Sequence, residues 1–307
     1  MEKGNIYIPL QGRIGNQLFQ YAFARNIQIQ NPDLKKIIID DSDVLRLKWE
    51  NSLVYYNLPN VEYVHNNIIE SEPVFSKVKN IRKAYRFLTK NKDYDKKYKI
   101  ENRIQPLLNK CGLFICENGY LSNSLGNSNP VYLEGFFQSE KYFEKIKDDI
   151  KQLFAPEQFI EIENYPNIEH IINRNTVCIS VKVEHNVGSN MYSVCGVEYW
   201  KRAIDLIVNK VKDPYFFICS DNVDYVLENL IDPEKYEYTC QSKEFPVHIS
   251  LSVMAQAKHF IIGNTTFGWW AQYLSKNDDK IVVAPSRWMA IDMPIDIYQE
   301  GWHLIEV

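Results

Sequence analysis

The chain has 307 residues, of which 45% are hydrophobic and 13% aromatic, and its formal net charge at pH 7 is -4. At roughly 100–200 residues per domain this length predicts one large domain or two, and the negative charge argues against a nucleic-acid protein with a broad basic face. The sequence has neither an apolar run near the roughly 20 residues of a membrane span nor the apolar core of a secretory signal at its start. We therefore expect a soluble, cytoplasmic protein; peripheral membrane association and the oligomeric state stay open.

The first residues predict an α/β domain. Residues 5–30 combine a short strand, a glycine-containing turn and a helix, and residues 35–43 predict a second strand that ends in an acidic cluster. This is the opening of a parallel sheet. The predicted apolar side of the helix contains Leu18, Ala22 and Ile29. Residues 71–129 are weakly patterned, which is typical of an inserted helical or loop region that covers a sheet.

Regular patterning returns near residue 130. Residues 131–133 predict a strand, Gly135 a turn, and the following residues an amphipathic helix that ends before Pro156. The predicted buried face of this helix contains Phe143, Ile146, Ile150 and Phe154. We place a domain boundary here, which gives domains over residues 1–155 and 156–307.

The second half again alternates strands with helices. The predicted strands cover residues 175–183, 214–222, 259–262 and 280–288, and the predicted helices cover 197–211, 223–230, 247–258 and 266–276. Alternation in both halves predicts two Rossmann-like domains that face each other across a cleft, with a ligand at the carboxyl ends of the strands. The six cysteines lack the paired C-x-x-C spacing of tetrahedral zinc sites, and several lie in apolar strand-like runs.

The turn after the first predicted strand is a candidate ligand site. Gly12 and Gly15 would let the backbone approach a phosphate, the helix start offers amide donors, and Arg13, Asn16 and Gln17 add side chains. Any tight connection from a strand to a helix would also use such glycines, so this alternative stays open.

Two further turns follow apolar strands in the second half. One contains Ser220 and Asp221, where a carboxylate can accept from a ribose hydroxyl or simply cap a helix. The other suits an anion at a helix start, although a threonine there would also serve as an N-cap and the two tryptophans beyond it as core. The residues of this second turn are Asn264, Thr265, Thr266 and Phe267.

Five strings occur in the same order as in a known family. GRIGNQLFQYAFA and GFFQSEKYF match closely, NTTFGWWAQYL is similar to a third motif, and FFICSDN and IVVAPSRW occupy the remaining places. Across nearly its whole length the chain thus resembles the α-1,2-fucosyltransferases, glycosyltransferase family 11.

The resemblance implies a GT-B fold and a metal-independent, inverting transfer from GDP-β-L-fucose to a galactoside hydroxyl, in synthesis of a surface polysaccharide or lipopolysaccharide. It implies an acceptor-side N-terminal domain and a C-terminal domain that binds the nucleotide sugar. The implied site residues are Arg13 and Asn16 at the reacting phosphate; Gly12, Gly15, Gln17, Ser220, Asp221, Asn264, Thr265, Thr266 and Phe267 at the donor; and Gln138 and Glu140 at the acceptor.

The chain departs from the family at its most diagnostic motif, a strand followed by histidine, two arginines, glycine and aspartate. Ser180 stands at the histidine, Lys182 at the first arginine and His185 at the aspartate. Lysine offsets phosphate charge as a point charge, without the bidentate fork of arginine. We expect Lys182 to act at the donor and in catalysis, and His185 to be a candidate general base. The alternatives are a different sugar nucleotide as donor, or an inactive homologue that binds sugar nucleotides or glycans.

Overall fold

The computed structural model describes residues 4–67, 76–117, 119–122, 125, 128–183 and 191–307. The chain forms two compact units, the first made of residues 1–153 with 292–297 and the second of residues 154–291 with 298–307. In the parts of the chain that the structure describes, no helix is long and apolar enough to cross a membrane.

The first unit contains a five-stranded parallel sheet in the order β3-β2-β1-β5-β4. Its strands are β1 (Asn5–Pro9), β2 (Lys36–Asp40), β3 (Val61–Val64), β4 (Leu113–Cys116) and β5 (Val131–Gly135). All five strands thus run in the same direction, so their carboxyl ends lie along one edge of the sheet, the carboxyl edge.

Five α-helices lie in the described part of this unit. They are α1 (Ile14–Gln30), α2 (Ser42–Arg46), α3 (Ser76–Thr89), α4 (Tyr94–Lys110) and α5 (Lys147–Leu153). Helix α1 is buried along most of its length, as expected for the helix that follows the central strand, although Ile29 in its last turn is exposed, contrary to the prediction. The predicted helix after β5 begins instead as short 3₁₀ turns, and its apolar face is buried as predicted.

The second unit contains a six-stranded parallel sheet in the order β11-β10-β9-β6-β7-β8. Its strands are β6 (Asn175–Val181), β7 (Pro214–Ser220), β8 (Tyr238–Cys240), β9 (His259–Ile262), β10 (Val282–Pro285) and β11 (His303–Ile305). Its helices are α6 (Ile168–Asn173), α7 (Val197–Val208), α8 (Val223–Asn229), α9 (Val247–Met254) and α10 (Thr266–Leu274).

The structure confirms an α/β chain with parallel sheets in both halves, and it adds four strands that were not predicted. Strands β8 and β11 have three residues each, β3 and β4 have four each, and all four lie at sheet edges. A short edge strand shows too little alternation to stand out from its loops. The arrangement of the two units across a cleft stays a prediction.

A short segment near the carboxyl terminus returns to the first unit. Residues 292–297 belong there although the chain around them belongs to the second unit. Asp296 accepts from Lys141 Nζ at 2.9 Å, and Pro294 lies against Gly119. A division into residues 1–155 and 156–307 does not provide for this return, because so short a segment carries no periodic pattern. The ligand roles of the two domains stay predictions.

Gly135, the last residue of β5, tests how closely β5 approaches β4 at the carboxyl edge of the first sheet. Its φ is +152°, and a Cβ there would overlap the carbonyl oxygen of Cys116 on the neighbouring strand. We expect Gly135→Ala to lower the free energy of unfolding by at least about 2 kcal/mol in urea denaturation. The matched control is Gly196→Ala, where no atom lies within 4 Å of the added Cβ; a shift within about 1 kcal/mol is expected there. Equal effects would contradict the close approach.

Candidate functional site

The carboxyl edge of the first sheet contains a topological switch point between β1 and β5. The chain runs from β1 outward through β2 to β3, and then returns through β4 to β5 on the other side of β1. Connections that leave neighbouring strands in opposite directions open a crevice at this edge, where α/β proteins bind ligands. The turn of residues 10–13 follows β1, and Gln138 follows β5.

The turn after β1 is held in place by the buried side chain of Gln17. Its Nε2 donates to the carbonyl oxygens of Gly12 at 2.9 Å and Glu50 at 2.8 Å, and its Oε1 accepts from the Ser52 amide at 2.8 Å. Gly12 has a φ of +72°, and a Cβ on it would overlap the Asn16 side chain. Because its amide is fully engaged and fully buried, Gln17 shapes the turn from within.

Gln20 fixes the same turn from its other end. Its Oε1 accepts from the Gln11 amide at 3.0 Å, and its Nε2 donates to the carbonyl oxygens of Gln11 at 2.8 Å and Asn16 at 3.1 Å. Sequence reasoning missed Gln20, because a glutamine inside an apolar helix gives no sign of a partner nine residues before it.

Gln138 and Asn16 meet across the switch point. Gln138 Nε2 donates to Asn16 Oδ1 at 2.9 Å. The residue before Gln138 is Phe137, whose φ is +52°, an uncommon conformation for a bulky residue. Its ring is buried, with its centroid 4.7 Å from that of Phe23, which offsets the strain. Glu140 lies beyond, at the start of a 3₁₀ turn that Ser139 caps.

Arg13 is the exposed cation of this edge. It precedes α1 as the N-cap residue, and its side chain makes no capping hydrogen bond. Its guanidinium carbon lies 5.7 Å from the centroid of the Trp49 ring. No described carboxylate forms an ion pair with it, so its donors point to solvent at the start of a helix whose first amides also attract anions. Gly15 is buried in the first turn of that helix.

The second sheet has its own switch point, between β6 and β9. The chain runs from β6 through β7 to β8 on one side, and then through β9 and β10 to β11 on the other. Lys182 is half-buried directly after β6, and Gly263 follows β9. A Cβ on Gly263 would lie 3.1 Å from the Trp200 ring, and one on Gly268 would lie 3.4 Å from Ser180 Cβ. The two glycines thus let α10 begin close to the strands.

The first turn of α10 is capped internally. Thr265 is its N-cap, and its hydroxyl accepts from the Gly268 amide at 3.2 Å, so the capping alternative holds for this residue. Thr266 and Phe267 are half-buried in the first turn. Trp269 and Trp270 are fully buried, which confirms them as core.

Asn264 serves mainly as a structural tie. Its Nδ2 donates to the carbonyl oxygens of Tyr192 at 3.1 Å and Trp288 at 3.0 Å. Its Oδ1 accepts from the Cys195 thiol, with a sulfur-to-oxygen distance of 3.6 Å. Burial raises the pKa of the Cys195 thiol to about 12, which keeps it protonated as a donor. Asn264 therefore anchors the segments around it.

Asp221 orders the chain next to Lys182. Its Oδ1 accepts from the Val183 amide at 2.7 Å, across from the end of β6. The helix cap is the next residue, since Asn222 accepts from the Tyr225 amide at 3.0 Å. Ser220 forms its hydrogen bonds with Asn222, at 3.0 Å. The sequence could not distinguish these roles; the structure makes Asn222 the cap and Asp221 a tie to the Lys182 loop.

The candidate base His185 lies outside the described residues. The structure therefore brings together Arg13, Asn16 and Gln138 at one switch point, and it places Lys182 and Asp221 at the ends of the neighbouring strands β6 and β7 in the other sheet. Among the residues that it describes, no group of three His, Cys, Asp or Glu side chains could hold a metal ion.

Two parallel sheets with polar side chains at both switch points are a framework on which α/β proteins bind ligands. The family model of glycosyl transferase family 11 matches residues 5–306, so the chain belongs to that family of glycosyltransferases.

Similar proteins agree with this assignment. The O-antigen biosynthesis glycosyltransferase WbnK of Escherichia coli is 24% identical, over 97% of this chain and 99% of its own length. An α-1,2-colitosyltransferase of Escherichia coli is 22% identical, over 97% of both chains.

A solved structure shows the same fold. The crystal structure of the fucosyltransferase NodZ from Bradyrhizobium superposes with a TM-score of 0.54 at 12% identity, covering 96% of this chain and all of NodZ. A NodZ α-1,6-fucosyltransferase crystal soaked with GDP-fucose superposes with a TM-score of 0.51 at 12% identity, covering 95% of this chain and all of that one. At this identity the likeness shows the fold alone.

Gln17 tests the internal support of the first switch point. Gln17→Leu keeps the volume but leaves the buried Ser52 amide and two partly buried carbonyl oxygens without their partner, so we expect a loss of roughly 2 kcal/mol in the free energy of unfolding by urea denaturation. The control is Gln158→Leu, since Gln158 is exposed; a change within about 0.5 kcal/mol is expected. If both variants unfold like the wild type, the Gln17 contacts do not support the turn.

Proposed function

We propose that this glycosyltransferase is inverting and transfers L-fucose from GDP-β-L-fucose to a galactoside hydroxyl, forming an α-1,2 linkage in O-antigen synthesis. Lys182 is the observation that carries the proposal, because it is a half-buried cation directly after β6, at the switch point of the sheet predicted to bind the nucleotide. Membership of the family and the name of the relative WbnK support the reaction class and the pathway.

The proposed reaction is an in-line displacement. The acceptor hydroxyl oxygen attacks the anomeric carbon, the bond from that carbon to the diphosphate oxygen breaks, and GDP leaves with the electron pair. The task of the protein is to offset the charge that develops on the diphosphate. We assign this task to Lys182 with the first-turn amides of α10 in the second unit, and to Arg13 as an anion-binding side chain in the first. The proposed transfer needs no metal ion.

Asp221 supports Lys182 in this proposal. By accepting from the Val183 amide at 2.7 Å, its carboxylate fixes the backbone directly after Lys182. The Lys182 side chain then extends from a fixed backbone position, and its four-carbon stem lets the ammonium group adjust to a ligand. Gln138 and Asn16, hydrogen-bonded to each other at 2.9 Å, offer amide groups to the acceptor or donor at the other switch point.

A second candidate donor is a nucleotide-linked colitose. One relative is named an α-1,2-colitosyltransferase, and it is 22% identical over 97% of both chains. Colitose is fucose without its 3-hydroxyl, so the two donors differ by one hydrogen-bonding group. The lysine in place of the family's arginine favours a changed donor contact. A site that hydrogen-bonds the 3-hydroxyl would discriminate strongly against the donor that lacks it.

Calorimetric titration with GDP, GDP-fucose, GDP-colitose and UDP-sugars tests the proposal. We expect GDP-fucose to bind in the presence of EDTA, Lys182→Ala to weaken that binding roughly 10–100-fold because a charge-assisted contact is lost, and Lys182→Arg to retain most of it. The matched control is Lys201→Ala, an exposed lysine on α7, which should bind like the wild type.

Transfer assays with each donor then separate the candidates. Product from GDP-colitose alone would replace the first candidate by the second. Loss of binding in EDTA that Mg²⁺ or Mn²⁺ restores would overturn the metal-free reaction. Tight binding with no product from any donor and acceptor would favour an inactive binding homologue, and in that case Lys182→Arg would restore nothing.

A further inference from the structure

A histidine and a buried aspartate form a pair at the carboxyl edge of the first sheet, outside the residues that the motifs identify. His65 directly follows β3, and its Nδ1 lies 2.7 Å from Asp41 Oδ1. The histidine side chain is 68% exposed, whereas the aspartate side chain is only 3% exposed. A carboxylate can only accept, so Nδ1 carries a hydrogen and donates to Asp41, and the outward Nε2 is the ring nitrogen that holds a lone pair when the imidazole is neutral.

The aspartate of this pair is itself fixed. Asn51 Nδ2 donates to its second oxygen, Oδ2, at 2.9 Å, and the Asp41 amide donates to the carbonyl oxygen of Val64 at 3.1 Å. The Asn51 oxygen in turn accepts from the Leu53 amide at 3.1 Å. Each polar group of the aspartate thus has a defined partner, which sets the direction of the imidazole ring.

The loop of residues 49–52, which contains Asn51, also contacts the turn after β1. Trp49 lies beside the Arg13 guanidinium, and Gln17 binds the Glu50 carbonyl oxygen and the Ser52 amide. Strand β3 is two strands away from β1, so at about 4.8 Å per strand the two strand ends are about 10 Å apart. That span is comparable with a sugar joined to its phosphate.

We propose that His65 is the general base of the transfer and that Asp41 is its positioning residue. This rests on the proposed function. As the acceptor oxygen bonds to the anomeric carbon, its proton passes to His65 Nε2, while the electron pair of the breaking bond leaves on the diphosphate. Asp41 keeps the ring in the tautomer with a free Nε2 and stabilises the imidazolium that forms.

A hydrogen-bonded pair of an exposed histidine and an aspartate could also have a purely structural role. Such a surface pair contributes at most about 1 kcal/mol, and it does not require the carboxylate to be buried and bonded at both oxygens. Activity at constant donor affinity therefore distinguishes a base from a structural contact.

The experiment compares His65→Gln, His65→Ala and Asp41→Asn with the wild type in steady-state transfer and in GDP-sugar titration. We expect His65→Gln to lower kcat roughly 100-fold or more, with donor affinity unchanged within about twofold, and added imidazole to restore part of the activity of His65→Ala. Asp41→Asn should lower kcat less, because the base remains. The control is His170→Gln, an exposed histidine in the second unit, which should match the wild type.

The outcomes separate this proposal from the one on which it rests. If the wild type transfers no sugar from any donor, the proposed function fails, whatever the variants do. If the wild type is active and His65→Gln keeps its kcat, or if the loss of activity follows a loss of donor affinity or of folding, His65 is not the base.

A different observation carries a second inference, which concerns the outer face of α3. Four exposed basic side chains recur at helical spacing, three along the helix and one directly after its last residue: Lys79, Lys83, Arg86 and Lys90. None of them forms an ion pair with a described residue. Phe87 flanks this row and is 80% exposed, whereas the opposite side of the helix packs inward through Val78 and Ile81. We call these four residues and Phe87 the basic face.

We infer that the basic face binds an anionic lipid surface. Residues 76–92 contain no Asp or Glu, although the chain as a whole has a net charge of -4. A row of cations attracts acidic head groups, and an exposed phenylalanine beside it can insert at the boundary of head groups and acyl chains. The long aliphatic stems of lysine and arginine add apolar contact at that depth.

Sedimentation with vesicles tests this inference. We expect binding to vesicles of phosphatidylcholine with phosphatidylglycerol and not to phosphatidylcholine alone, with a loss of at least about tenfold in Lys83→Glu/Arg86→Glu and in Phe87→Ser. Lys210→Glu/Lys212→Glu, an equal charge change on exposed lysines of the second unit, should bind like the wild type. Failure to bind either vesicle, or a dimer that Phe87→Ser dissociates, would overturn the inference.

Discussion

The change in the direction of strand order at the central strands is the constraint on which the candidate sites of both sheets depend. In the second sheet, β6 and β9 send their connections away in opposite directions; in the first sheet, β1 leads outward to β2, whereas the chain reaches β5 from the other side through β4. A crevice opens at the carboxyl ends of strands where the strand order changes direction in this way. Backbone groups in such a crevice have no ladder partner. The chain fills it with polar side chains: Asn16 and Gln138 bond to each other at 2.9 Å in the first sheet, and Asp221 bonds the loop after β6 in the second.

Rigidity at the first crevice comes from beneath the surface. Gln17 and Gln20 are fully buried and together bind the backbone of the turn on both sides, and Phe137 is held in a strained conformation by the aromatic rings around it. Such supports have to be satisfied completely, because each unpaired buried group costs about 1–3 kcal/mol. The exposed Arg13 can then keep its donors for a ligand, since the interior supplies the structure of the turn.

The sequence predicts the sheets better than the roles of individual side chains. Continuous apolar runs predict β6 and β7, which are seven residues long and buried along nearly their whole length, while β8 and β11 are too short to show a pattern. The motif strings locate both switch points correctly, yet they cannot distinguish a side chain that binds a ligand from one that stabilises the backbone of the turn. Gln17 and Asn264 look like binding residues and prove to be engaged with backbone atoms far away in sequence, and only the fold brings those atoms together. His65 carries no motif, and its partner Asp41 is 24 residues away.

Under the proposed function, Lys182 shows how one substitution can alter a donor site without altering the backbone that positions it. The strand before it, the tie from Asp221 to Val183 and the close approach of α10 at Gly268 hold the position of the Lys182 backbone, independently of which cation it carries. An arginine there would present a planar fork that fits one phosphate geometry, whereas the lysine ammonium rotates and extends to follow a ligand. A flexible cation of this kind discriminates little between donors at the phosphate, so discrimination depends on contacts to the sugar hydroxyls. Under the proposed function, the choice between fucose and its 3-deoxy relative then depends on polar groups that face the sugar ring.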